Sequence, residues 1–170
     1  MTSSARLHVA DFEHPDVRWL LNALYAEQLT RYERADEPEE DPTVYQLPEG
    51  TFLLLRVRGQ PAGCGGYRRR NATTGEIKRM FVYLSHRGQG YGRRILAELE
   101  GHAQRRGAQR IILETGVRNQ AAIALYESSG YVTIPPYEHG RDTAINRAFA
   151  KSLPTLVAMT SGQSCAPQMR

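Results

Sequence analysis

The residues best suited to chemistry form one short run, Arg87-Gly88-Gln89-Gly90-Tyr91-Gly92, followed by Arg93 and Arg94. Glycines at alternate positions leave backbone N–H groups uncovered by side chains. The run joins an apolar stretch to an amphipathic one, so it reads as a strand-to-helix loop. The first turn of a helix has N–H groups without partners in the helix, and the helix dipole adds partial positive charge there. Arg87, Arg93 and Arg94 add full charges. That combination suits a pyrophosphate. Alternate glycines exclude the Gly-x-Gly-x-x-Gly spacing of dinucleotide folds. The lack of a following Gly-Lys-Ser/Thr excludes a nucleoside-triphosphate loop.

The flanking elements must hold this loop in place. Residues 76–84, Glu-Ile-Lys-Arg-Met-Phe-Val-Tyr-Leu, read as a buried strand. In strict alternation Glu76 shares a face with Lys78 and Met80. After the loop, Tyr91, Ile95, Leu99 and Ala103 recur every four residues and Gly107 closes a helix. Residues 111–116 are a second short apolar strand. Asn119 caps and Gly130 ends a short helix that carries Ala122 and Tyr126 on one face.

Arg-x-x-Gly-x-Gly between strand and helix resembles the acetyl-coenzyme A signature of the GNAT superfamily of N-acetyltransferases. The order strand, loop, helix, strand, then Asn119, small residues, Leu125-Tyr126-Glu127 and Gly130-Tyr131, extends the resemblance without a gap over about residues 76–137. It implies an α/β fold, α+β in some schemes. The GNAT sheet is mixed and mostly antiparallel, with six to seven strands flanked by about four helices and a V-shaped opening between the central strands.

The resemblance also implies a site. The pantetheine arm of acetyl-coenzyme A, a cosubstrate, inserts between the strand ending near Leu84 and the strand starting near Ile111. Main chain at Met80, Phe81 and Val82 faces the arm and the thioester oxygen. Residues Arg87, Gly88, Gln89, Gly90, Tyr91 and Gly92 hold the pyrophosphate, with Arg93 and Arg94. Asn119 contacts the coenzyme, caps its helix, or does both. Tyr126 matches the tyrosine placed near the coenzyme sulfur. A phenol is protonated at neutral pH and can donate to a leaving thiolate; the other reading of Tyr126 is a packed core residue. Glu76 resembles a strand glutamate used as general base, and Glu114 is the second candidate. Either could instead pair with nearby arginines, or the amine could lose its proton to solvent. Tyr137 lies where related proteins place an acceptor-side loop. His86 is read as structural or solvent-facing.

Going back to the start, residues 6–12 read as a first strand. Pro15 opens a helix on which Leu20, Leu21, Leu24, Tyr25, Leu29 and Tyr32 cover one face, joined by Trp19, ending near Ala35. The acidic, proline-bearing residues 36–42 form a loop that suits a cationic amine or is a solvated turn. Residues 51–58 and 61–71 are paired strands about a turn at Gly59-Gln60. A last strand covers residues 144–152.

The 170 residues, 41% hydrophobic and 24% charged, suit one domain over residues 1–154 and a flexible tail over 155–170. No apolar run reaches the length of a membrane span and no secretory leader is evident, so a cytoplasmic protein is expected. Cys64 and Cys165 are too few for a disulfide framework, and no Cys/His spacing suggests a metal. A net charge of +4 favours an anionic ligand, without motifs for nucleic acid. The expected reaction is acetyl transfer to a primary amine, with a small molecule as acceptor. The alternative is a non-catalytic acyl-coenzyme A sensor or interaction module on the same fold. Related proteins are often homodimers.

Overall fold

The computed structural model describes residues 4–33 and 41–154. Strand β1 (Ala5–Val9) leads to helix α1 (Pro15–Tyr32), and a short 3-10 turn (Pro42–Tyr45) precedes β2 (Gly50–Val57), β3 (Gln60–Arg69) and β4 (Thr74–Val82). A second 3-10 turn (Leu84–His86) leads to α2 (Tyr91–Arg105), then β5 (Arg110–Gly116), α3 (Gln120–Ser128), β6 (Val132–Ile134) and β7 (Asn146–Ser152). The strands form one seven-stranded sheet in the order β1-β2-β3-β4-β5-β7-β6. All neighbours pair antiparallel except β4 and β5, which are parallel. A parallel pair needs a crossover connection, and α2 supplies it.

Both faces of the sheet are covered. Leu53, Leu55 and Val57 of β2 pack with Ile95, Leu96 and Leu99 of α2 and Ile123 of α3. Phe52 and Leu54 face the other way, onto Val17, Leu20 and Leu21 of α1. This two-sided burial explains why β2 reads as a continuous apolar run.

The helix α1 departs from the expected apolar face. Its first half is seated, but Leu29 is 53% exposed and Trp19 46% exposed. Trp19 lies against the Tyr83 ring, 4.7 Å between centroids, at the surface. The helix ends at Tyr32, where Glu33 turns left-handed and donates its N–H to the Leu29 carbonyl at 2.8 Å. Of the acidic segment, residues 36–40 lie outside the described residues; Asp41 caps the 3-10 turn through the Thr43 N–H at 2.9 Å. The tail expected over residues 155–170 also lies outside them. Three α-helices are present among the described residues, where about four were expected. β4 stops at Val82, because Leu84 opens a 3-10 turn and is exposed.

The largest correction concerns alternation along β4. Gly66 pairs with Lys78, but Cys64 pairs with Phe81, so β4 carries one extra residue. Arg79 is that residue, at φ 58°. This is a β-bulge with a non-glycine residue in the left-handed region, a conformation costing on the order of 1–3 kcal/mol. Neighbours hold it: the Cys64 thiol donates to the Arg79 carbonyl at 3.6 Å, and the Arg79 guanidinium lies 5.5 Å from the Tyr25 ring centre. Burial pushes the Cys64 thiol up to about 12, so Cys64 is an inert core residue. Beyond the bulge the faces exchange. Met80 and Val82 pack with the α2 side and Phe81 with the α1 side. Glu76 therefore does not share a face with Met80.

The β2–β3 hairpin turns at Arg58-Gly59, with φ of 52° and 83°, one residue earlier than expected. Both positions favour Asn-Gly chemistry. Arg58→Asn should raise stability by about 0.5–1 kcal/mol, because the left-handed conformation costs asparagine less. Urea unfolding checks this through an increased midpoint at constant slope.

Candidate functional site

The strands β4 and β5 pair only from Thr74 with Arg110 to Ile77 with Leu113. Past that point each stays with its outer neighbour, β4 with β3 as far as Val82 and β5 with β7 as far as Gly116. The two strands therefore part in the middle of the sheet, and the bulge at Arg79 bends β4 where they do. A cleft of about 750 Å³ fills the opening.

At one end of the cleft is the glycine loop. Gly88 and Gly90 adopt φ of 73° and 79°, and a Cβ built on either would meet nothing within 4 Å. Gly90 is the N-cap of α2 and no side chain caps that end. The first amide of α2 bonded to a carbonyl of its own turn is that of Arg94, to Gly90 at 3.1 Å. The Gly92 and Arg93 amides precede it, at the positive end of the dipole.

Arg87, Gly88, Gly90, Tyr91, Gly92 and Arg93 all line the cleft, as do Met80, Phe81, Val82, Asn119 and Tyr126. Gln89 is exposed and is not part of the lining. Arg94 turns away, donating to the Ala5 carbonyl at 3.2 Å, and does not join the loop's charges. Arg93 binds Ser128 Oγ at 2.7 Å and Ser129 Oγ at 3.0 Å, tying α2 to α3. Arg87 donates from Nε to the Val82 carbonyl at 2.8 Å and pairs with Glu27 of α1 at 2.6 Å. His86 lines the cleft, with Nδ1 3.0 Å from Ser85 Oγ.

Tyr126 and Asn119 line the cleft from α3 and its cap. Tyr126 is 5% exposed, its ring beside Tyr131 and Phe149. Burial raises the pKa of its phenol, so the hydroxyl keeps its proton. Asn119 caps α3, accepting from the Ala122 N–H at 3.3 Å.

At the other end the two carboxylates are engaged. Glu76, 2% exposed, accepts from Arg68 Nε at 2.8 Å and from the Tyr137 hydroxyl at 3.0 Å, with Arg70 at 3.5 Å. Glu114 pairs with Arg141 at 2.9 Å. Arg70 also binds Glu138 at 2.7 Å and lies 6.0 Å from the Tyr137 ring centre. The loop that carries Tyr137 and Glu138 is thus fastened to β3 and β4 through Glu76.

Sequence reasoning named no residue of α1 as part of the site. Glu27, Gln28, Arg31 and Tyr32 line the cleft. The Tyr32 hydroxyl sits against the backbone of Gly116, where a Cβ would strike it. Glu27 and Arg31 are four residues apart, a spacing that signals an exposed ion pair as readily as a cleft wall. No group of three metal-ligating side chains occurs among the described residues, and no helix among them is long and apolar enough to cross a membrane.

A mixed sheet whose central parallel pair opens is the fold that the sequence resemblance implied. The chain belongs to the Acetyltransferase (GNAT) family, whose model matches residues 21–131. It is 36% identical over 124 residues to an IAA acetyltransferase of Azospirillum brasilense, covering 65% of this chain and 76% of that one. An uncharacterized N-acetyltransferase, YsnE of Bacillus subtilis, is 35% identical over 98 residues, covering 56% of this chain and 65% of that one. Among solved structures, a Klebsiella pneumoniae protein described as an acyl-CoA N-acyltransferase superposes with a TM-score of 0.76 at 29% identity, covering 88% of this chain and 98% of that chain. The YncA protein of Salmonella typhimurium, solved with acetyl-CoA, shares the fold with a TM-score of 0.65 at 18% identity, covering 94% and 99%.

Four tyrosines have raised pKa values with burial as the leading cause: Tyr67, Tyr126, Tyr131 and Tyr137; Glu100 adds to the shift of Tyr131 and Glu76 to that of Tyr137. An unfolded tyrosine releases its proton near pH ~10, and the folded chain resists that release. The unfolded state then binds fewer protons, so stability falls as pH rises. Stability should hold up to pH ~10 and decline above it. Melting temperatures from pH 8 to 11.5 check this, with Tyr137→Phe reducing the decline.

Proposed function

We propose that the chain transfers an acetyl group from acetyl-coenzyme A to a primary amine of a small molecule, by direct attack in a ternary complex. The parting of β4 from β5 beside the uncapped α2 carries this reading. β4 is unpaired with β5 past Ile77, an edge along which an extended arm would lie, and the space over Gly88 and Gly90 is open, where a diphosphate would sit. The relatives named as N-acetyltransferases and the fold shared with acetyl-CoA complexes support it.

The residues at hand fit the coenzyme. Main chain at Met80, Phe81 and Val82 would flank the arm. Gly88, Gly90 and Gly92, with Arg87 and Arg93, would hold the phosphates, and Asn119 would face the arm from α3. The coenzyme supplies an activated acyl thioester. Tyr126 would hydrogen-bond to the departing sulfur and give it the proton; burial makes the phenol a weaker acid, so the charge building on the thiolate must drive the transfer. Backbone N–H groups near the bulge would stabilise charge developing on the acyl oxygen.

Glu76 takes the base role in this reading, reached through the Tyr137 hydroxyl or a water, and Glu114 is the other carboxylate on the wall. Proton loss from the amine to solvent needs neither. The acceptor end is bounded by Glu76, Glu114, Tyr137 and the second half of α1.

Thiol release from acetyl-coenzyme A across a panel of small amines and acceptor peptides tests the proposal. Release with small amines is the expected result. Coenzyme binding without release from any acceptor would favour the sensor reading, and absence of binding would remove both. Tyr126→Phe should lower kcat about a hundredfold while leaving coenzyme affinity within a factor of about two. An unchanged kcat would take the acid role from Tyr126.

A further inference from the structure

Arg87 connects the glycine loop to α1. Its Nε donates to the Val82 carbonyl at 2.8 Å, and its guanidinium carbon lies 5.4 Å from the Phe81 ring centre. These two contacts fix the group at the end of β4. Its Nη2 pairs with Glu27 at 2.6 Å, across 60 residues of sequence. Glu27 also binds Arg31 at 2.9 Å, and the Arg31 carbonyl accepts from Arg118 at 2.8 Å, beside the Asn119 cap. The second half of α1 is therefore tied to both banks of the cleft, at the β4–α2 loop and at the β5–α3 loop.

We infer that Glu27 is a positioning residue that seats α1 on the phosphate loop and lowers the affinity for the coenzyme as it does so. The inference rests on the proposed coenzyme site. Glu27 lines the same cleft as Gly88 and Gly90. Its carboxylate neutralises the arginine nearest the loop and opposes a second anion placed there. Val82 and Phe81 already orient the guanidinium, so removing Glu27 forfeits little preorganisation and relieves a like-charge contact. What Glu27 contributes in return is the placement of α1, whose Gln28, Arg31 and Tyr32 wall the acceptor end. A moderated grip also favours release of the spent coenzyme, whose diphosphate is unchanged by the reaction.

Calorimetric titration of the full chain with coenzyme A and with acetyl-pantetheine, which has no diphosphate, tests this. Glu27→Gln should tighten coenzyme A about two- to fivefold, the range of a half-exposed ion pair. Acetyl-pantetheine affinity should be unchanged, and acceptor KM should rise. Glu27→Ala, which removes the carboxylate altogether, should behave alike and serves if the glutamine variant folds poorly. The Arg87 Nε resonance should shift on coenzyme addition in the unaltered chain. Unchanged or weaker coenzyme A binding in both variants would overturn the inference. Equal weakening of both ligands would do the same, by making Glu27 a structural prop. Failure of the unaltered chain to bind coenzyme A at all would overturn the coenzyme site itself.

Discussion

A β-strand edge leaves polar backbone groups that need partners, and this sheet leaves such an edge in its middle. The strands β4 and β5 are held apart by stronger loyalties elsewhere: β4 keeps its ladder with β3, and β5 keeps its ladder with β7. The bulge at Arg79 makes both arrangements compatible. It bends β4 and exchanges its faces, so Met80 and Val82 pack beneath α2 while Phe81 turns toward α1. The opening is thus a product of the core on both sides, not a gap left by poor packing.

The helix α2 owes its place to the same geometry. A parallel pair requires a crossover, and the crossover must begin where β4 ends. The amides of the first turn of α2 therefore face the mouth of the opening, and Gly88 and Gly90 keep side chains out of their way. Open strand edge and open helix end meet in one cleft because they come from the same strand-to-helix junction. The opposite end of the cleft is built differently. Glu76, Arg68, Arg70 and Tyr137 form a charged clasp that fastens a loop to the sheet, and α1 closes the facing wall.

Much of the glycine-loop end of the cleft was legible in the sequence. The glycine spacing, the four-residue repeat from Tyr91 to Ala103 and the cap at Asn119 are local signals, each set by the backbone needs of a loop or helix. The end at Glu76 and Glu114 was not legible to the same degree. Strict alternation placed Glu76 with Met80, because a bulge at an arginine has no sequence signature as clear as a glycine's. Arg94 read as a loop cation, yet its carbonyl partner is at Ala5, far off in sequence. Leu29 and Trp19 read as core at helical spacing, yet Leu29 is exposed on the half of α1 that borders the cleft and Trp19 lies at the surface against Tyr83.

The sequence by itself determined the strand-loop-helix junction, the pairing of residues 51–58 with 61–71 and the family, since these depend on periodicity and on residues near one another along the chain. Only the tertiary structure decided which charges meet: Arg87 with Glu27, Glu76 with Arg68 and Tyr137, Glu114 with Arg141. Ion pairs form between whatever groups packing brings within reach, and a sheet whose central strands part sets those distances through its register, which no local pattern encodes.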